Sequence, residues 1–131
     1  MRSVILDTNV LISFVENEDA ALTRLLSKFD EIVLTPTVLG EYRAGISDTK
    51  RGRESERALE TLLESDSVRE IGITSKTADY YAKVFRSLKA KGRPIPVNDI
   101  WIAASALENG LELCSFDKHF RAVEMVRLVT V

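Results

Sequence analysis

Near its start the chain reads Val4-Ile5-Leu6-Asp7-Thr8-Asn9. Three consecutive apolar β-formers ended by an acid read as a strand buried on both faces, where no polar alternation is needed. Asp7-Thr8-Asn9 can cap the helix that follows, with Val10, Leu11, Phe14 and Val15 on one side. A short buried strand running straight into an amphipathic helix is the opening unit of an α/β fold.

The same grammar repeats outward from this unit. Ala21, Leu22, Leu25, Leu26 and Phe29 mark a second helix, and Ile32-Val33-Leu34 a second strand. Thr35-Pro36 opens a helix with proline at its first position, where the missing N–H costs nothing. Ala58, Leu59, Leu62 and Leu63 mark another amphipathic helix, and residues 68–73 form either a short strand or an extended loop. From Thr74 or Ser75 a long helix carries Ala78, Tyr81, Ala82, Phe85 and Leu88 as one stripe. The prolines of Lys91-Gly92-Arg93-Pro94-Ile95-Pro96 enforce a loop. Asn98 is then expected to cap a helix that stops at Asn109-Gly110. Leu113-Cys114-Ser115 reads as a strand, residues 117–121 as a short helical turn, and residues 126–129 as the last strand. Strands alternating with helices predict one α/β sandwich, a parallel sheet covered on both faces and spanning residues 1–131.

Composition fits that reading. At 131 residues, 45% hydrophobic and 29% charged, with 3 prolines and 6 glycines, the chain excludes disorder, a collagen repeat and a disulfide scaffold. The single cysteine, Cys114, has no internal partner and suits a reducing compartment. The apolar stretches at 10–15 and 100–107 fall far short of the ~20 residues a bilayer needs. Asp7 interrupts any secretory apolar segment, so a cytoplasmic location is expected. A net charge of −2 gives no global attraction to polyanions, although residues 83–93 carry Lys83, Arg86, Lys89, Lys91 and Arg93 with no acid.

Four carboxylates occupy equivalent places. Ligands of open parallel sheets bind beyond the carboxyl ends of the strands, where the strand order reverses. Asp7 ends the first strand, Asp117 follows the strand containing Cys114, and Asp99 sits in the first turn of its helix. Glu41 lies at the edge of the Val38/Leu39/Tyr42/Ile46 stripe. Taken singly, each Asp is accounted for as a helix start and Glu41 as a flanking surface residue. Brought together, like charges ~4 Å apart repel by about 1 kcal/mol even in water, so the cluster calls for a cation. Oxygen ligands with only one His and one Cys in the chain favour Mg²⁺ or Mn²⁺ over a structural zinc. A divalent ion so held suits phosphodiester hydrolysis.

The segments Val4 to Asn9, Glu41-Tyr42-Arg43-Ala44-Gly45, Pro94 to Ala104, and Cys114-Ser115-Phe116-Asp117-Lys118-His119-Phe120 together resemble the PIN-domain ribonucleases, and most of all the VapC-type toxins of toxin–antitoxin pairs. The resemblance spans essentially the whole chain in order. It implies a five-stranded parallel sheet of order 3-2-1-4-5 and a Mg²⁺-dependent endoribonuclease site made by Asp7, Glu41, Asp99 and Asp117. It also implies that Asn9 and Ser115 orient the first and last acids, with Thr8 beside them. Hydrolysis would proceed by in-line attack of activated water, leaving a 5′-phosphate and a 3′-hydroxyl. A cognate antitoxin that inserts a basic side chain among the acids is implied too, as is a homodimer.

The remaining candidates each have two readings. The run Lys83, Arg86, Lys89, Lys91 and Arg93 either tracks a phosphate backbone or is a solvated helix face. Arg43 contacts RNA or a partner, or makes a surface ion pair. His119 is read as surface or packing rather than as a base, Trp101 as packing, and Cys114 as a small hydrophobe. A response-regulator receiver would need adjacent acids after the first strand. A haloacid-dehalogenase phosphatase would need a second Asp at position 9, where Asn stands. A housekeeping RNA-processing nuclease, and a binding module that holds a basic peptide in the acidic pocket, remain the alternatives.

Overall fold

The computed structural model describes residues 1–130; Val131, the end of the expected domain, lies outside the described residues. The first strand is β1 (Ser3–Leu6), whose Val4, Ile5 and Leu6 are wholly buried. Each such side chain stabilises the fold by about 1.5–3 kcal/mol relative to exposure. The chain continues through α1 (Thr8–Glu16), α2 (Ala20–Leu26) and β2 (Glu31–Leu34). Next come α3 (Pro36–Ala44), α4 (Lys50–Leu63) and β3 (Val68–Glu70), which settles the ambiguous segment as a three-residue strand. The second half holds α5 (Ser75–Lys91), α6 (Val97–Asn109), β4 (Glu112–Cys114), a 3₁₀ turn (Lys118–Ala122) and β5 (Leu128–Val129).

All five strands pair in parallel in the order β3-β2-β1-β4-β5. The chain steps outward from β1 to β2 and β3, then crosses back over β1 to β4 and β5. Right-handed crossovers put α1–α4 on one face and α5 with α6 on the other, a three-layer sandwich. The order therefore reverses between β1 and β4. Their register, Leu6 beside Cys114, brings Asp7 and Ser115 together just past the two carboxyl ends. The backbone seals this junction: Asp7 N donates to Cys114 O at 3.0 Å.

Local signals set most boundaries. Thr35 caps α3 by accepting from Val38 N, with Pro36 at the first position. Gly110 adopts φ +64°, where a side chain would be strained, and lets Leu111 N bond Ala106 O at 2.9 Å as the chain turns into β4.

Four expectations are corrected. Asn98 does not cap α6; Pro96 stands at the cap, with its carbonyl accepting from Asp99 N and Ile100 N and no side-chain cap bond. Ser115 lies beyond β4, and the last strand begins only at Leu128, because Val126 N closes a turn on Val123 O. The α5 stripe is rotated. Its inward residues are Thr77, Val84 and Leu88 with Tyr81 half-buried, while Ala78 and Phe85 are exposed. Thr77 turns inward because its hydroxyl donates to Glu108 of α6, and the α5–α6 interface continues where Tyr81 packs on Trp101 at 4.3 Å.

Candidate active site

At the reversal point a cleft of about 430 Å³ opens among the ends of β1 and β4, the start of α6 and the middle of α3. Asp7, Glu41, Asp99 and Asp117 all line it. Asp7 is delivered by β1 and caps α1, accepting from Thr8 N at 2.8 Å. Ser115, wholly buried, donates from Oγ to Asp7 Oδ2 at 2.7 Å, and the same Oγ accepts from Asp117 N at 2.9 Å. One hydroxyl thus fixes the side chain of one acid and the backbone of another. Glu41 projects from α3 and accepts from Thr8 Oγ1 at 2.7 Å.

The electrostatics are adverse. Burial pushes the Asp7 carboxyl above its usual range; hydrogen bonds from Ser115 and Thr8 oppose the rise, and the charges of Asp117 and Glu41 add to it. Asp99 is likewise raised, first by burial and then by Asp7, with His119 offsetting part of the effect. No lysine or arginine lines the cleft among the described residues.

His119, read from the sequence as surface or packing, is placed otherwise. Its Nε2 lies 2.6 Å from Asp99 Oδ2 and its Nδ1 3.4 Å from Asp117 Oδ1, so it belongs to the acid cluster and is not merely surface or packing. The Nε2 contact is close without being an aligned hydrogen bond, and that atom is shut away from solvent without a hydrogen-bond partner. Asp117 is extended (φ −85°, ψ 122°), and the 3₁₀ turn that begins at Lys118 brings the His119 ring back against its carboxylate.

The other candidates separate. Asn9 lines the cleft from an exposed position and makes no side-chain hydrogen bond to an acid among the described residues; Thr8 and Ser115 do. Arg43 points to Glu56 on α4 at 3.2 Å, an ion pair outside the cleft. Within the basic run, Lys91 Nζ donates to Ala122 O at 2.8 Å and pairs with Glu124, tying α5 to the 3₁₀ turn. Lys83 lies over the Tyr80 ring, and Lys83, Arg86, Lys89 and Arg93 are exposed. None of the five lines the cleft.

The donor set fits a divalent cation. One oxygen each of Asp99 and Asp117 and a nitrogen of His119 lie within 4.8 Å of one another, beside Asp7 and Glu41. The partnerless Nε2 is the kind of buried polar atom such an ion satisfies.

Residues 4–125 match the PIN domain family. The chain is 31% identical over 105 residues to the ribonuclease VapC1 of Haemophilus influenzae, covering 78% of this chain and 77% of that one. It superposes with a TM-score of 0.84 on the VapBC-1 structure from nontypeable Haemophilus influenzae, at 27% identity over 98% and 97% of the two chains. It also matches VapBC-5 of Mycobacterium tuberculosis, a member of the VapBC family of toxin–antitoxin systems. There the TM-score is 0.75 and the identity 26%, with both chains fully covered.

Proposed function

The chain belongs to the PIN-domain family, and on that premise we propose that it is a metal-dependent endoribonuclease, the toxin of a toxin–antitoxin pair. The observation that carries this reading is the convergence of Asp7, Glu41, Asp99 and Asp117 on one cleft without a neutralising lysine or arginine among the described residues. Four carboxylates are not held together against their own repulsion by chance packing, and burial makes the ionised state of Asp7 and Asp99 more costly still.

In this reading Asp7, Asp99 and Asp117, with Glu41, hold Mg²⁺ or Mn²⁺. When bound, such a cation lowers the pKa of water and neutralises charge developing on a phosphoryl group. The chain's own residues orient the acids. Ser115 locks Asp7 and the backbone of Asp117, and Thr8 aims Glu41. Exposed Asn9 stands at the rim, where an RNA strand would enter. Lys83, Arg86, Lys89 and Arg93 are free to meet phosphates, whereas Arg43 and Lys91 already have protein partners. The cognate antitoxin would restrain the enzyme by presenting a basic side chain to the same acids, where a charge-assisted pair is strongest. No described helix is long and apolar enough to cross a membrane, and we place the pair in the cytoplasm with its RNA.

Cleavage of a mixed RNA pool tests the proposal, using the chain with Mg²⁺, with chelator, and as Asp99→Asn. Cleavage only by the unaltered chain with Mg²⁺ is expected. Equal cleavage in all three arms would overturn the assignment, and none in any arm would favour a module that merely holds a basic peptide.

A further inference from the structure

The geometry points to His119 as a nitrogen ligand of the cleft's divalent cation, making the site a mixed carboxylate–imidazole centre rather than an all-oxygen one. This rests on the metal-dependent reading above and goes beyond its four acids.

Three observations support it. First, Asp99, Asp117 and His119 are the trio whose donor atoms already lie within 4.8 Å of one another. Donors bound to one ion at about 2.1 Å stand roughly 3–4 Å apart, so little movement separates this trio from a coordination shell. Second, Nε2 is closed off from solvent and lacks an aligned partner although it is 2.6 Å from Asp99 Oδ2. A buried nitrogen left without a hydrogen-bond partner is the kind of atom that a bound cation would satisfy. Third, Nδ1 faces Asp117 Oδ1 at 3.4 Å. Both ring nitrogens therefore face carboxylates of the same cleft, so the ring stands where a shared ion would sit. The ring is held in place by Phe120, wholly buried and 5.0 Å away between centroids.

Imidazole changes which ion the site prefers. Mg²⁺ is a hard ion that favours oxygen and water, whereas Mn²⁺ begins the series of ions that gain from nitrogen donors. His119 therefore raises Mn²⁺ affinity more than Mg²⁺ affinity. Its removal is expected to weaken Mn²⁺ binding about tenfold, the lower end of what removing a supporting group costs a metal site. The corresponding weakening for Mg²⁺, which favours oxygen and water, is expected to be smaller.

The chain contains one histidine, so an imidazole signal on the bound ion has a single source. Pulsed EPR of the Mn²⁺-loaded chain is expected to show coupling to an imidazole ¹⁴N. That coupling should convert to ¹⁵N when the histidine is isotopically labelled, and vanish in His119→Gln. The labelled unaltered chain gives the answer even if the variant folds poorly. Stoichiometric Mn²⁺ binding without imidazole coupling would overturn the ligand assignment while leaving the carboxylate site standing. Failure to bind Mn²⁺ at all would overturn both, and Asp99→Asn, which removes a carboxylate donor, serves as the binding-deficient control.

Discussion

Ser115 Oγ donates to Asp7 Oδ2 across 108 residues of chain and accepts from Asp117 N in the same position, so one buried hydroxyl couples the ends of β1 and β4. It lies between β1 and β4, where the strand order reverses and acids from both halves of the chain meet.

Ser115→Ala should cost about 1–3 kcal/mol, since it strips a hydrogen bond from buried Asp7 and leaves the Asp117 N–H without its acceptor. Urea unfolding measures this. RNA cleavage should fall as well, because Asp7 is no longer held; unchanged stability and cleavage would show the hydroxyl to be idle.

Asp99→Asn should abolish cleavage yet stabilise the cation-free protein at neutral pH. The folded Asp99 carboxyl titrates above its unfolded value, so the native state binds the extra proton and stability is lost as pH rises through that range. The stability gap between variant and unaltered chain, measured in chelator, should be small at low pH and grow as pH rises through the carboxylate range. A difference measurement is needed because Glu31 and Glu112, held low by hydrogen bonds from Arg69 and Arg2, lose stability in the opposite direction.

Thr8→Val frees Glu41 from its 2.7 Å hydrogen bond while preserving shape and helix start. Cleavage should drop by about 10- to 100-fold, the range for groups that orient metal-site ligands. Thr8→Ser, which keeps the hydroxyl, should restore most of it.

Gly52 sits buried in α4, and a Cβ there would meet the Ser47 carbonyl oxygen at 1.8 Å. Gly52→Ala must push the α3–α4 connection outward and should cost at least about 1–3 kcal/mol. A thermal melt indistinguishable from that of the unaltered chain would contradict the close approach.

The basic run should divide by function. Lys91→Ala should mainly destabilise the fold, since Lys91 anchors the 3₁₀ turn. Lys89→Glu and Arg86→Glu should leave stability intact and weaken RNA binding, with the salt slope falling by roughly 1 for each phosphate that is no longer neutralised. Salt-dependent binding titrations separate the two outcomes.

Much of the fold is legible in the sequence because it is written locally. The Val4-Ile5-Leu6 run, Pro36 after Thr35 and Gly110 after Asn109 each constrain their own backbone, whatever packs on them. The rotation of α5 is not legible. Ala78 and Phe85 share the helical period with Leu88 as well as Thr77 and Val84 do, and a threonine reads as polar until Glu108 is beside it. Asn98 fails as a cap for a related reason: the proline loop, rather than side-chain chemistry, starts α6. The place of His119 is misread as surface or packing because its sequence neighbours say nothing of Asp99, twenty residues earlier in the chain.

The alternation of strands and helices, and the acid at the end of β1, follow from local composition, because hydrophobic period and backbone stereochemistry act over a few residues. That Thr8 holds Glu41, that Ser115 joins Asp7 to Asp117, and that a lone imidazole enters the acidic cleft are products of long-range packing. Those contacts arise where crossovers return distant segments to one sheet edge, and no local preference of the chain specifies which side chains meet there.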